Sequence, residues 1–104
     1  MNRYGIAHYD LDEIKDILGD PAKRIITRSS RLTAVSLGYA GDNDMVERVK
    51  KLKNTEIHKS MDSLKKLGLW QDVYITNDNG VDVYIKLQKS MNGKGVIISF
   101  KKSE

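Results

Sequence analysis

Residues 70–102 read WQDVYITNDNGVDVYIKLQKSMNGKGVIISFKK. Two Asn-Gly pairs, Asn79-Gly80 and Asn92-Gly93, each separate runs in which apolar and polar residues alternate. Alternation with period two is the pattern of a half-buried strand. Asn-Gly between such runs is the strongest short hairpin signal, because a type I′ turn needs positive φ at both central residues. The stretch therefore predicts a three-stranded antiparallel meander, with strands at about 69–77, 81–89 and 95–102.

Turn chemistry also predicts who faces whom. With Asn92-Gly93 as a two-residue loop, Met91 opposes Lys94, Ile85 opposes Phe100 and Leu87 opposes Ile98, giving one apolar face. On the other face Tyr84 stands opposite Lys101, with Lys86 beside Ser99. Directly opposed Cβ atoms lie roughly 5 Å apart, so a phenol and an ammonium are set side by side. In the first hairpin, a two-residue loop leaves Gln71 on Tyr84's face but roughly 13 Å along the strand. A four-residue loop from Asn77 to Gly80 brings it within a diagonal. Both versions turn Trp70, Asp72 and Tyr74 to the core side, where Asp72 must lie near an edge or be hydrogen-bonded.

Upstream the period changes to that of helices. In DLDEIKDILG (10–19), Asp10 caps, Glu13 stands at capping-box spacing, and Leu11, Ile14, Ile17 and Leu18 share a face. Gly19 and Pro21 stop the helix. RIIT (24–27) is a short apolar run, a strand or an extended link. SSRLTAVSLG (29–38) reads as a second helix capped by Ser29 or Ser30 and closed at Gly38. GDNDMVERVKKLKN (41–54) reads as a third, with Asp44 and Glu47 at capping-box spacing and a stripe of Met45, Val46, Val49 and Leu52. NTEIHKSMDSLKKLG (54–68) is ambiguous. Ile57, Met61 and Leu64 fit a helix ending at Gly68, while Ile57, Lys59 and Met61 also alternate as in a strand.

A chain of 104 residues holds one domain, 1–104, of α+β class: an antiparallel sheet made of the meander plus one or more further strands, with about three N-terminal helices packed on one face. No run reaches the roughly 18 apolar residues of a membrane span. The start, MNRYGIAHYDLDE, has no signal-peptide core, and a cytoplasmic protein is expected. The absence of cysteine removes disulfides, thiolate metal sites and cysteine nucleophiles. His8 and His58 make no metal-ligand spacing, so neither a metal nor another cofactor is expected.

The charge is lopsided. Residues 1–50 hold eight Lys/Arg and eight Asp/Glu, so the formal +4 lies wholly in the second half. A polyanionic partner is the functional reading of that asymmetry. Solubility alone is the plain one.

The residues of the polar sheet face suit RNA cleavage without a metal. The ribose 2′-hydroxyl is the nucleophile, so the protein needs only a base, an acid for the leaving 5′ oxygen, and donors for phosphate charge. Lys59, Gln71, Tyr84 and Lys101 are the candidate catalytic set. His58, Lys86, Lys102 and Arg28 are candidate RNA contacts. A lysine base needs a lowered pKa, and Lys101, beside Lys102 and facing Lys86 and Tyr84, is set to have one. Each residue also has a structural reading. A cross-strand Tyr–Lys pair is often surface packing, Trp70 a core residue, and Arg28 a brace for the second helix. A non-catalytic RNA- or DNA-binding module on the same basic face is the alternative.

Several motifs now combine: His8, TRSS (27–30) leading into a helix, LGY (37–39), KSM (59–61), WQDVY (70–74), VYIK (83–86) and ISFKK (98–102). In this the chain resembles the MqsR family of bacterial toxins, endoribonucleases of type II toxin–antitoxin systems, along nearly its whole length. The resemblance implies a RelE-like fold with KSM extended in the sheet. It implies metal-independent, sequence-preferring cleavage of mRNA, often at triplets containing GC, and a cognate antitoxin. Residues proposed to act in the family fall on Lys59, Gln71, Tyr84 and Lys101. The chain departs from the family at His58, where an aromatic residue is frequent, and in the basic run 65–68. Both differences bear on substrate preference.

Overall fold

The computed structural model describes residues 2–62 and 69–104. Six strands form one sheet: β1 (Asn2–Tyr4), β2 (Arg24–Ile26), β3 (Ile57–Asp62), β4 (Trp70–Asp78), β5 (Val81–Lys89) and β6 (Gly95–Lys102). Three helices, α1 (Leu11–Leu18), α2 (Arg28–Ser36) and α3 (Asp42–Lys50), lie between β1 and β3 in sequence. The strand order is β1-β3-β4-β5-β6-β2. The meander is present as predicted, and three strands join it. RIIT is a strand, but it pairs parallel to β6, so the sheet is not wholly antiparallel. NRY adds an edge strand to β3 that no sequence pattern announced. KSM lies in a strand. The helical alternative's Leu64 and Gly68, and the basic run 65–68, fall outside the described residues.

The first Asn-Gly hairpin is the two-residue type I′ turn: Asn79 has φ 52° and Gly80 has φ 86°. Asp78 therefore opposes Val81 and Ile75 opposes Tyr84, the register of the two-residue version, which leaves Gln71 four residues along the strand. The four-residue alternative is not formed. The second hairpin is not a two-residue loop. Ser90 N donates to Lys94 O (2.8 Å) and Gly93 N to Ser90 O (3.0 Å), which makes Met91-Asn92-Gly93 a three-residue loop with Gly93 at φ 82°. That shifts the register by one near the turn, and Leu87 opposes Ile97 rather than Ile98. A bulge next to Lys86 and Leu87 restores it, so Ile85–Phe100, Tyr84–Lys101 and Lys86–Ser99 pair as expected. The bulge has a packing cause. Ile97 and Phe100 are both fully buried at a spacing of three, which strict alternation forbids.

The buried cluster draws Leu11, Ile14 and Leu18 from α1, Ala34 from α2 and Met45, Val46 and Val49 from α3. It joins them to Tyr74, Val83, Ile85, Leu87, Ile97 and Phe100 of the sheet. Asp10 caps α1 by accepting from Asp12 N (2.9 Å) and Glu13 N (3.3 Å). Glu13 does not close a capping box but pairs with Lys89. Thr27, not Ser29 or Ser30, caps α2, accepting from Ser30 N at 3.2 Å and donating to Ile98 O at 3.0 Å. Ser30 is instead buried. The helix thus begins where its cap can also bond the sheet. α3 starts earlier than the Asp44–Glu47 spacing suggests. Gly41 precedes it, and the Asp44 carboxylate turns back to accept from Ala40 N at 2.9 Å.

Gly95 opens β6 directly beneath α1. A Cβ there meets the Leu18 side chain at 3.0 Å and Ile17 at 3.2 Å. Gly95→Val is expected to cost about 2–3 kcal/mol by overpacking, read as a fall in the urea midpoint at unchanged slope. Unchanged stability would show that α1 can ride up without loss.

Candidate functional site

Strand alternation sends Tyr74, Val83, Ile85 and Phe100 to the helices and their sequence neighbours to the opposite face. There the register lays out a row of five: Tyr4, Lys59, Val73, Lys86 and Ser99, one from each of β1, β3, β4, β5 and β6. The adjacent row is Ile75, Tyr84 and Lys101. On the other side Gln71 opposes Met61, and its Nε2 donates to Gln88 Oε1 at 3.2 Å. The sheet thus brings Lys59, Lys86, Tyr84 and Lys101 together. Gln71 shares their face beside Lys59's row, roughly 13 Å along β4 from Tyr84's partner Ile75.

His58 reaches this face through an irregularity. The β3–β4 register slips between Ile57 and Lys59, so His58 is the extra residue of a bulge. Its ring meets Tyr4 edge-on, centroids 5.9 Å apart. With Ile75, Tyr84, Lys101 and Lys102 it lines a cleft of about 360 Å³ closed by Ser103 and Glu104. Arg28 stands elsewhere: it is the exposed first residue of α2, outside the cross-strand rows.

The electrostatics at the centre of the face are one-signed. Lys101 Nζ lies 5.1 Å and Lys86 Nζ 5.9 Å from the centroid of the Tyr84 ring. Among the described residues no carboxylate forms an ion pair with Lys59, Lys86 or Lys101. Burial pushes Lys86 below the ordinary lysine range, and the charges of Lys101 and Lys59 push it further. Burial raises Tyr84, so its phenol keeps its proton through neutral pH. Val73 is fully buried although it is not part of the core cluster. It forms a dry floor between Lys59 and Lys86.

Of the two ways expected to accommodate Asp72 on the core side, hydrogen bonding is the one found: it is a buried structural hub, not a strand-edge residue. It accepts from His8 N (3.0 and 3.1 Å), Tyr9 N (2.8 Å) and Ser60 Oγ (2.7 Å). Trp70 stacks on His8 (centroids 5.4 Å, 19°) and carries the Arg3 guanidinium 4.1 Å from its ring. WQDVY and His8 therefore fasten the N-terminal segment to the sheet, and Gln71 is the polar residue of that motif that points to the lysine face. Tyr4, 65% exposed beside Lys59 and His58, joins this face without any signal in the sequence around it. Its place depends on a pairing across more than fifty residues, which no local pattern reports.

A second cleft of about 470 Å³ is lined by Tyr39, Arg48, Glu56, Asp78 and others. Its groups satisfy each other. Tyr39 donates to Asp78, Arg48 to Thr76, and Thr76 to Glu56 at 2.6 Å. Burial and Asp78 push Tyr39 up to about 12. This is an internal brace between α3 and β4.

Fold and face together define a small α+β protein with a clustered lysine surface suited to a negatively charged ligand. No helix among the described residues is long and apolar enough to cross a membrane. The family model described as motility quorum-sensing regulator, toxin of MqsA, matches residues 6–102, and the chain belongs to that family. It is thus a toxin of a toxin–antitoxin system, as the motifs implied. Among curated proteins no relative matches the chain.

Proposed function

We propose that this toxin is a metal-independent, sequence-preferring endoribonuclease that cuts mRNA in the cytoplasm, has a RelE-like architecture, and is held in check by a cognate antitoxin. The observation that carries the reading is the gathering of Lys59 and Lys101 about Lys86, with Lys86 and Lys101 beside the neutral phenol of Tyr84 and no described carboxylate paired to the three lysines. Three like charges gathered on one sheet face destabilise the free protein and become favourable once a phosphodiester enters.

On this reading each residue of the face has a role. Lys59 and Lys101 flank the centre and stabilise the charge on the phosphoryl oxygens. Tyr84, protonated at neutral pH, gives its proton to the departing 5′ oxygen. Gln71, braced by Gln88, contacts the nucleotide one step along the strand. Tyr4 and His58 offer aromatic surfaces on which a base can stack. Lys102 extends the cationic cleft.

The test is cleavage of one defined mRNA in EDTA by wild type, Lys59→Ala and Tyr84→Ala, with fragment ends identified. Discrete cuts by wild type, slowed about 100-fold or more in each variant, with 5′-hydroxyl and cyclic or 3′-phosphate ends, are expected. Folded wild type that leaves RNA intact, with or without ribosomes, while still binding it in a salt-dependent way would make the face a binding surface only.

A further inference from the structure

We propose that Lys86 is the catalytic group that removes the 2′-hydroxyl proton, a role that rests on the ribonuclease reading above and that the sequence pattern gave to other lysines.

Position argues for it first. Lys86 belongs to the cross-sheet row, with Lys59 two strands away on one side and Lys101 diagonal to it on β6. It stands on a central strand, half-buried, where Lys101 is exposed at the end of β6. Beside it Val73 excludes water. A phosphodiester held between Lys59 and Lys101 lies over Lys86. Its Nζ is also close to the Tyr84 ring, so base and acid can flank one phosphorus, as in-line displacement requires.

Chemistry argues for it second. A lysine can accept a proton only when neutral, and three surroundings disfavour its charged form here. Burial is the largest, followed by the ammonium groups of Lys101 and Lys59. The groups facing Lys86 are Lys59 and His58 from β3, Tyr84 and Gln88 from its own strand, and Lys101 and Ser99 from β6. β4 contributes only Gln71, Val73 and Ile75. Two acids border this face. Asp82 lies four residues along β5, where it accepts from Asn77 Nδ2 at 3.0 Å, and Glu104 closes the cleft that His58, Tyr84 and Lys101 line, on the Tyr84 side of Lys86. Neither pairs with Lys86 to hold its proton.

The step balances as follows. The O2′–H proton passes to Lys86 Nζ while O2′ bonds to phosphorus. The P–O5′ bond breaks, and O5′ takes the proton of Tyr84. The products are a 2′,3′-cyclic phosphate and a 5′-hydroxyl. Lys86 then holds one proton more and Tyr84 one fewer, and water between these neighbours restores both.

Lys86→Arg tests the assignment, because arginine keeps the charge but does not deprotonate in proteins. Its kcat is expected to fall about 100-fold or more, with affinity for a 2′-O-methyl RNA, which cannot be cleaved, within about threefold of wild type. Lys86→Met is expected to lose cleavage equally, and its melting temperature controls for folding. In Lys101→Met the rising acid limb of the kcat–pH profile should move to higher pH, because one neighbouring positive charge no longer drives the proton off Lys86. A ¹³C NMR titration of the lysine side chains should show the same upward move without any substrate. Wild type that cuts RNA while Lys86→Arg cuts nearly as well, or a limb and titration that stay put in Lys101→Met, overturns the role of Lys86 alone. Wild type that cuts nothing overturns the ribonuclease reading and this role with it.

Discussion

Asp72→Ala is expected to destabilise the protein by about 3–5 kcal/mol, a large part of the roughly 5–15 kcal/mol that holds a domain together. The carboxylate is 1% exposed and accepts from His8 N, Tyr9 N and Ser60 Oγ. Truncation leaves these donors facing a void, and each unmet buried donor costs about 1–3 kcal/mol. Asp72→Asn is nearly the same shape and should still lose about 1–3 kcal/mol, because its amide presents a donor where the site holds only donors. Urea unfolding by circular dichroism reads both. If Asp72→Ala unfolds at the wild-type midpoint, the N-terminal segment is not fastened through this carboxylate. Loss of toxin activity on mutating Asp72 therefore reports folding, even though Asp72 stands next to Gln71 in the chain.

Tyr84→Phe is expected to do the opposite: leave the fold alone and abolish cutting. The Tyr84 hydroxyl makes no hydrogen bond among the described residues, so removing it should change stability by no more than about 0.5 kcal/mol. If the phenol protonates the leaving oxygen, kcat should fall about 100- to 1,000-fold, while affinity for 2′-O-methyl RNA stays within about threefold. The substituted ring still supports Lys101 and Lys86. Tyr84→Ala removes that support too and should be worse in both kcat and binding. The pH sign follows from burial. Tyr84 is raised above the usual phenol range, so it stays a competent acid through neutral and mildly alkaline pH, and activity falls only once the phenol ionises. Full activity of Tyr84→Phe would reduce the residue to a stacking or packing surface.

These two outcomes separate structure from chemistry within motifs that look alike in sequence. In WQDVY, Trp70 and Asp72 anchor the chain start and Gln71 faces the lysines. In VYIK, Val83 and Ile85 fill the core while Tyr84 and Lys86 form the site. Period-two alternation assigns these faces without any knowledge of partners.

Part of this architecture is written in local conformational preference. The Asn79-Gly80 turn, the alternation of β4 and β5, the Asp10 cap and the stripe of α3 all follow from conformational preferences within a few residues. The Tyr84–Lys101 pairing that a two-residue loop predicts forms by another route: the three-residue loop at Met91-Asn92-Gly93 shifts the register by one, and the bulge in β6 shifts it back. The dipeptide Asn-Gly permits either loop. Burial of both Ile97 and Phe100 chose between them, and that is a property of the assembled core. Tertiary structure alone decided the rest. It made RIIT a parallel edge strand, because its partner β6 lies some seventy residues away. It brought Tyr4 beside Lys59 and gave Asp72 its donors from the chain start. It also singled out Lys86 among thirteen lysines, since charge repulsion and dehydration depend on what lies across three strands, and sequence distance does not report that.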